Sequence, residues 1–97
     1  MKKRNKLVKS PSFEKAFVKF VKKFPYLKQS IERSLVELEE NCFSEKLKTH
    51  KLGGKLFGAY ACSCGYDCRI VFSFEKDSSS KGDYILLADI GTHESVY

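Results

Sequence analysis

The sequence predicts an α+β domain with the element order β-α-α-β-β-β, an antiparallel sheet packed against a two-helix hairpin. Three observations predict it. Apolar residues recur at spacings of three and four through the first half, from Phe13 to Leu38. Strict alternation follows at Ile70, Phe72 and Phe74. A near-continuous apolar run, Tyr84 to Ile90, comes last. At 97 residues, with 42% hydrophobic and 31% charged side chains, the chain is one globular domain, residues 1–97, and not a disordered segment.

Arg4 to Lys9 forms a short edge strand whose lysines discourage unwanted pairing. Ser10-Pro11 is a helix start, a hydroxyl cap followed by proline at the first helical position. Phe13, Ala16, Phe17, Phe20, Val21 and Phe24 make one apolar stripe of the first helix, with Lys15, Lys19, Lys22 and Lys23 off it. Pro25 interrupts, because the residue before proline is pushed out of helical geometry. The second helix runs from about Tyr26 to Glu40 and buries Leu27, Ile31, Leu35 and Leu38. Its exposed face carries Glu32, Glu37, Glu39 and Glu40. The short connection predicts an antiparallel helix pair that needs a sheet to cover its stripes.

Asn41 to Lys55 reads as loop, hinged at Gly53-Gly54. Leu56 to Cys64 reads as a strand, with a turn near Gly65-Tyr66. In the strand Cys68 to Glu75, Ile70, Phe72 and Phe74 face the helices, which puts Arg69, Val71 and Ser73 on the open face. Lys76 to Asp83 is a polar turn, and Gly91-Thr92-His93 ends the last strand.

The net charge of +6 favours a polyanionic partner. The apolar runs fall short of the roughly 20 residues a membrane span needs, and the basic start Met1-Lys-Lys-Arg-Asn-Lys has no apolar segment after it. A cytoplasmic protein is expected. Cys62, Cys64 and Cys68 are spaced C-x-C-x3-C, unlike the usual zinc pairs, so together with Cys42 they read as reduced packing residues.

The stretch Leu47 to Arg69 concentrates the chemistry. Lys46 to Tyr66 holds four lysines and no acid, and Asp67 then precedes Arg69 by two. RNA cleavage through the 2′-OH needs a base, an acid and a cation for the charge that builds on phosphorus. His50, His93 or Asp67 can move the protons. Arg69 can clamp the phosphate, and Lys48, Lys51 and Lys55 can hold the backbone. Tyr66 or Tyr97 can stack on an unpaired base. The blander readings are solvated loop histidines and lysines, and a structural Asp67–Arg69 ion pair. This chemistry requires no metal and no cofactor.

Three motifs carry a resemblance: Leu47-Lys-Thr-His-Lys-Leu-Gly-Gly-Lys-Leu-Phe-Gly, Gly65-Tyr-Asp-Cys-Arg-Ile-Val-Phe, and Leu87-Ala-Asp-Ile-Gly-Thr-His-Glu-Ser-Val-Tyr97. Together they resemble the RelE/ParE superfamily of bacterial toxins, most of all the YafQ-type and RelE/StbE-type mRNA interferases. The match is in the second half; the helical half agrees in element order. The resemblance implies a small RelE-like fold and the toxin of a type II toxin–antitoxin pair, a ribosome-dependent endoribonuclease. Its partners would be a cognate antitoxin, the ribosome and mRNA, with operator DNA reached only through the antitoxin and no membrane involved. The family's catalytic positions fall on His50, Asp67 and His93, with the C-terminal aromatic at Tyr97 and the strand arginine at Arg69. Where YafQ-type toxins have a further strand histidine this chain has Ser63, and Cys68 stands in place of a tryptophan. A ParE-like gyrase inhibitor, or an RNA- or ribosome-binding module that has lost catalysis, are the alternatives.

Overall fold

In the computed structural model, the described residues are 5–76 and 82–92, the Lys55 side chain excepted. Strand β1 (Lys6–Lys9) leads into helix α1 (Pro11–Lys23). A 3-10 turn at Pro25–Leu27 then leads into helix α2 (Lys28–Glu40). Strands β2 (His50–Lys51), β3 (Tyr60–Gly65), β4 (Cys68–Lys76) and β5 (Asp83–Gly91) follow. The five strands lie in the order β1-β5-β4-β3-β2.

Local chemistry sets the helix ends. The Ser10 hydroxyl accepts the Phe13 N–H at 3.0 Å, with Pro11 in the first turn. Replacing Ser10 by alanine leaves that N–H without its cap, and we expect a loss of about 1 kcal/mol in chemical denaturation. Phe24 leaves the helix at φ −130°, ψ 67°, forced out by Pro25. Glu39 and Leu38 near the end of α2 are tied to the residue before β1: the Asn5 N–H donates to Glu39 O at 2.7 Å and the Asn5 side-chain amide to Leu38 O at 3.2 Å. Among the described residues no helix is long and apolar enough to cross a membrane.

The sheet departs from the antiparallel one expected. It is mixed, because β1 pairs parallel with β5, Leu7 opposite Ile85. An isolated strand at the start of a chain carries no local sign of its partner's direction. His50–Lys51, read as loop, is a two-residue edge strand pairing with Ala61 and Tyr60. Strand β3 begins at Tyr60 and not Leu56, since Gly54–Leu56 is a 3-10 turn and Gly58 takes φ +95°. The helices also contact the sheet more than each other, α1 over β5 and α2 over β3.

One face of the sheet and the two helices enclose the core: Phe13, Ile31, Leu38, Ile70, Phe72, Ile85 and Leu87 are buried there, with Leu47 from the loop. Phe74, expected to face the helices, lies at the margin, 39% exposed, stacked on Phe43 at 5.9 Å and edge-on to Tyr60 at 4.9 Å. Val71, expected on an open face, is buried, as is its cross-strand partner Ala61. Both stand outside the helix-side core, so the second face of the sheet has an apolar centre of its own.

Candidate active site

Register assigns each candidate side chain to a face, because residues directly opposite in an antiparallel pair point the same way. His50 lies opposite Ala61, and Ala61 opposite Val71. Two residues along the same face, Ser63 lies opposite Arg69, and Arg69 opposite Gly91. His50, Ser63 and Arg69 therefore share the face away from the helices, around the apolar patch of Ala61 and Val71. Strand spacing separates the His50 and Arg69 backbones by about 12 Å, a gap that two side chains can close around a phosphodiester.

The loop before β2 is held from below. Leu47 is buried in the core, and its carbonyl accepts the Ser63 N–H at 2.6 Å. Lys48 takes the left-handed φ of +51°, which reverses the chain into β2. The His50 Nδ1 lies 3.0 Å from the Lys48 carbonyl. A carbonyl only accepts, so Nδ1 carries the proton and Nε2 is the basic nitrogen of the neutral ring. The loop thus selects a tautomer as well as a place.

The β3–β4 turn presents the other groups. Gly65 has φ +135° and Asp67 φ +50°. Asp67 and Tyr66 are exposed, Tyr66 at 92%. Arg69 is half-buried, and its Nη1 donates to the Cys68 carbonyl at 3.1 Å, which draws one arm of the guanidinium back along its own strand. The turn thus holds a carboxylate and a guanidinium on either side of Cys68.

Some of the proposed set lies elsewhere. Lys48 and Lys51 are exposed, but Lys51 follows His50 in β2 and alternation turns it to the opposite face. Lys55 sits in the 3-10 turn 54–56. His93 and Tyr97 fall outside the described residues; the described chain ends at Thr92, one residue past the Gly91 that pairs with Arg69.

Asp89, an acid within the largely apolar strand β5, joins the candidates from the structure alone. It lies opposite Val71, is half-buried, and its carboxylate accepts the Ile90 N–H at 2.8 Å. It also lines a groove of ≈ 450 Å³ with Lys19, Phe20 and Lys23 of α1 and Phe24 just beyond it, beside Gly91. The available signal was a single acid inside an otherwise apolar strand. A second groove, ≈ 640 Å³, lies along α2 near Lys46 and Leu47 and contains neither His50 nor Arg69, so volume does not mark the site.

The cysteines differ from the reduced set expected. Cys64 and Cys68 are joined by a disulfide, their Cα atoms 5.0 Å apart, while Cys42 and Cys62 are free thiols. The register shifts between Ser63 and Gly65, and this bulge brings Cys64 across to Cys68; spacing alone could not reveal it. Burial pushes the Cys62 thiol up to about 12, against the opposing pull of Arg69. Its folded value lies above the usual 9.0, so the neutral thiol favours the fold below that value. Stability should therefore fall as pH rises from about 9 towards 12, by up to ~1.4 kcal/mol per unit. Melting curves across that range, compared with Cys62→Ala, isolate this contribution.

Together, His50, Ser63, Asp67 and Arg69 offer a basic nitrogen, a hydroxyl, a carboxylate and a fixed cation on one side of the sheet and its adjoining turn. Such a set can move protons and stabilise a phosphate. No protein-family model matches the chain, and no curated protein matches it in sequence. Solved structures do match in fold. YafQ from E. coli strain BL21(DE3) superimposes with a TM-score of 0.75 at 16% identity, covering 97% of this chain and 99% of that one. The E. coli DinJ-YafQ toxin-antitoxin complex contains a chain matching with a TM-score of 0.72 at 17% identity, covering 97% of this chain and 98% of that chain. A YoeB/ParE toxin from Agrobacterium tumefaciens matches with a TM-score of 0.70 at 16% identity, covering 91% and 98%. With two helices laid on a five-stranded mixed sheet, this chain has the RelE/ParE-type toxin fold, the fold of YafQ and of the YoeB/ParE toxin.

Proposed function

We infer that the chain is the toxin of a type II toxin–antitoxin pair and that it cleaves ribosome-bound mRNA by acid–base catalysis. The observation that carries this reading is the shared placement of His50, Ser63 and Arg69 on the face away from the helices, with Asp67 at the adjoining turn. Attack of the ribose 2′-OH needs a proton acceptor, and the Nε2 of His50 has the right tautomer for it. Arg69 neutralises the charge that grows on the phosphorane oxygens, where its planar fork fits two oxygens at once. His93, outside the described residues, is the second proton carrier in this reading, and Tyr97 and Tyr66 stack on bases. Lys48 holds the backbone, with Lys51 and Lys55 serving the approach of the polyanion. The chain's net charge of +6 suits that partner. The DinJ-YafQ complex supports a protein antitoxin as the silencing partner here too.

The test is induction of the protein in growing cells followed by mapping of mRNA 5′ ends. New ends within reading frames, lost in His50→Ala and His93→Ala, are the expected result. Growth arrest with intact transcripts would overturn it, and stoichiometric inhibition of gyrase supercoiling would put a gyrase inhibitor in its place.

A further inference from the structure

We propose that the Cys64–Cys68 disulfide positions Asp67 and Arg69, and that reduction by a dithiol slows RNA cleavage; this rests on the RNA-cleaving reading above. The disulfide closes a short loop of Gly65, Tyr66 and Asp67, with Arg69 the next residue beyond it. Both candidate groups are thus bonded directly to Cys68 through the chain.

The turn is tightly determined from both sides. Asp67 takes the left-handed conformation that reverses the chain between β3 and β4, one that aspartate adopts more readily than most non-glycine residues. On the helix side, a Cβ added at Gly65 would come within 3.1 Å of Leu27 Cδ2, so the backbone already lies against the start of α2. On the inner side, Cys64 and Cys68 are 1% and 0% exposed and belong to the core. Breaking the bond removes the covalent tether across the turn and leaves two thiols, each with its own hydrogen, where one bond stood. A close-packed core has no space to absorb that change. The side able to yield is the exposed turn at Tyr66 and Asp67. A displacement of about 1 Å at groups that must meet a phosphate is enough to lower a rate by about ten- to a hundredfold.

The pair is also shielded from internal exchange. Cys62 lies in the same strand, but burial holds its thiol protonated at neutral pH, and a thiol attacks a disulfide only as the thiolate. An outside dithiol must therefore do the reduction, entering when the turn opens. One of its thiolates attacks a cysteine sulfur, forming a mixed disulfide and releasing the other cysteine, which takes up a proton. Its second thiolate then displaces the remaining cysteine, which is likewise protonated. Two electrons pass to the protein and the dithiol leaves as its own disulfide.

The test compares protein oxidised with diamide and protein reduced with dithiothreitol, each desalted anaerobically. Free thiols are counted by alkylation and mass, and single-turnover cleavage is measured on ribosomes programmed with mRNA, with affinity measured separately. The expected result is two free thiols in the oxidised form and four in the reduced form. The reduced form should cut about ten- to a hundredfold more slowly at unchanged affinity, recovering on reoxidation. The Cys64→Ser/Cys68→Ser variant should be slow with or without dithiol; if it does not fold, the two wild-type forms decide. Equal rates in the two forms overturn the proposal and leave the cleavage reading standing, as do four free thiols after oxidation. Cleavage by neither form overturns the cleavage reading itself.

Discussion

Arg69→Ala is expected to lower single-turnover cleavage of ribosome-bound mRNA by about 10²–10³-fold, the usual effect of removing one group that stabilises transition-state charge. Arg69 lies on the face away from the helices, opposite Ser63 on one side and Gly91 on the other, whereas Lys51, the other cation of the set in a described strand, is turned to the opposite face. Arg69→Lys should recover only a small part of the loss. A lysine keeps the charge but gives up the planar fork and the second arm that now bonds the Cys68 carbonyl. Melting temperature serves as the control, because a half-buried residue with one backbone hydrogen bond contributes modestly to the fold. A rate within a few-fold of wild type in a folded Arg69→Ala protein would remove Arg69 from the mechanism.

Phe72→Ala should have the largest effect on stability, a loss of about 3–5 kcal/mol. Phe72 is fully buried at the middle of the central strand, stacked on Tyr60 at 5.9 Å and edge-on to Phe74 at 5.6 Å. Its removal leaves a void between sheet and helices that the neighbouring rings cannot fill without leaving their own contacts. For a domain of this size the melting temperature should fall by at least about 12 °C. Phe57→Ala is the contrasting case: at 88% exposed it should change stability by no more than about 0.5 kcal/mol. Thermal unfolding followed by circular dichroism would measure both.

The helices were legible because their signals are local. Ser10-Pro11, the phenylalanine stripe and Pro25 each act within a turn of themselves, and the structure places the ends of α1 where those residues put them, whereas α2, expected from about Tyr26, begins at Lys28 after the 3-10 turn Pro25–Leu27. The alternation in β4 was legible at its centre, where Ile70 and Phe72 are buried, and failed at Phe74, which runs past the edge of the helices. The burial of Val71 was not legible, since alternation reports which residues share a face and says nothing of what covers the other one. Strand β2 was missed because two residues show no period.

For the candidate site, residue identity came from the sequence and arrangement did not. Lys48 and Lys51 looked alike in a basic run, and pairing set His50 and Lys51 on opposite faces of β2. Cys64 and Cys68 looked like packing until a bulge brought them together.

The sequence by itself determined the α+β class, the two helices with the Ser10 cap of the first, and the residue types needed for proton transfer and phosphate binding, since each depends on near neighbours in the chain. Tertiary structure alone decided the parallel pairing of β1 with β5, the disulfide, and the common face of His50, Ser63 and Arg69. Those depend on register between strands distant in sequence, where a slip of one residue would turn every side chain to the other face.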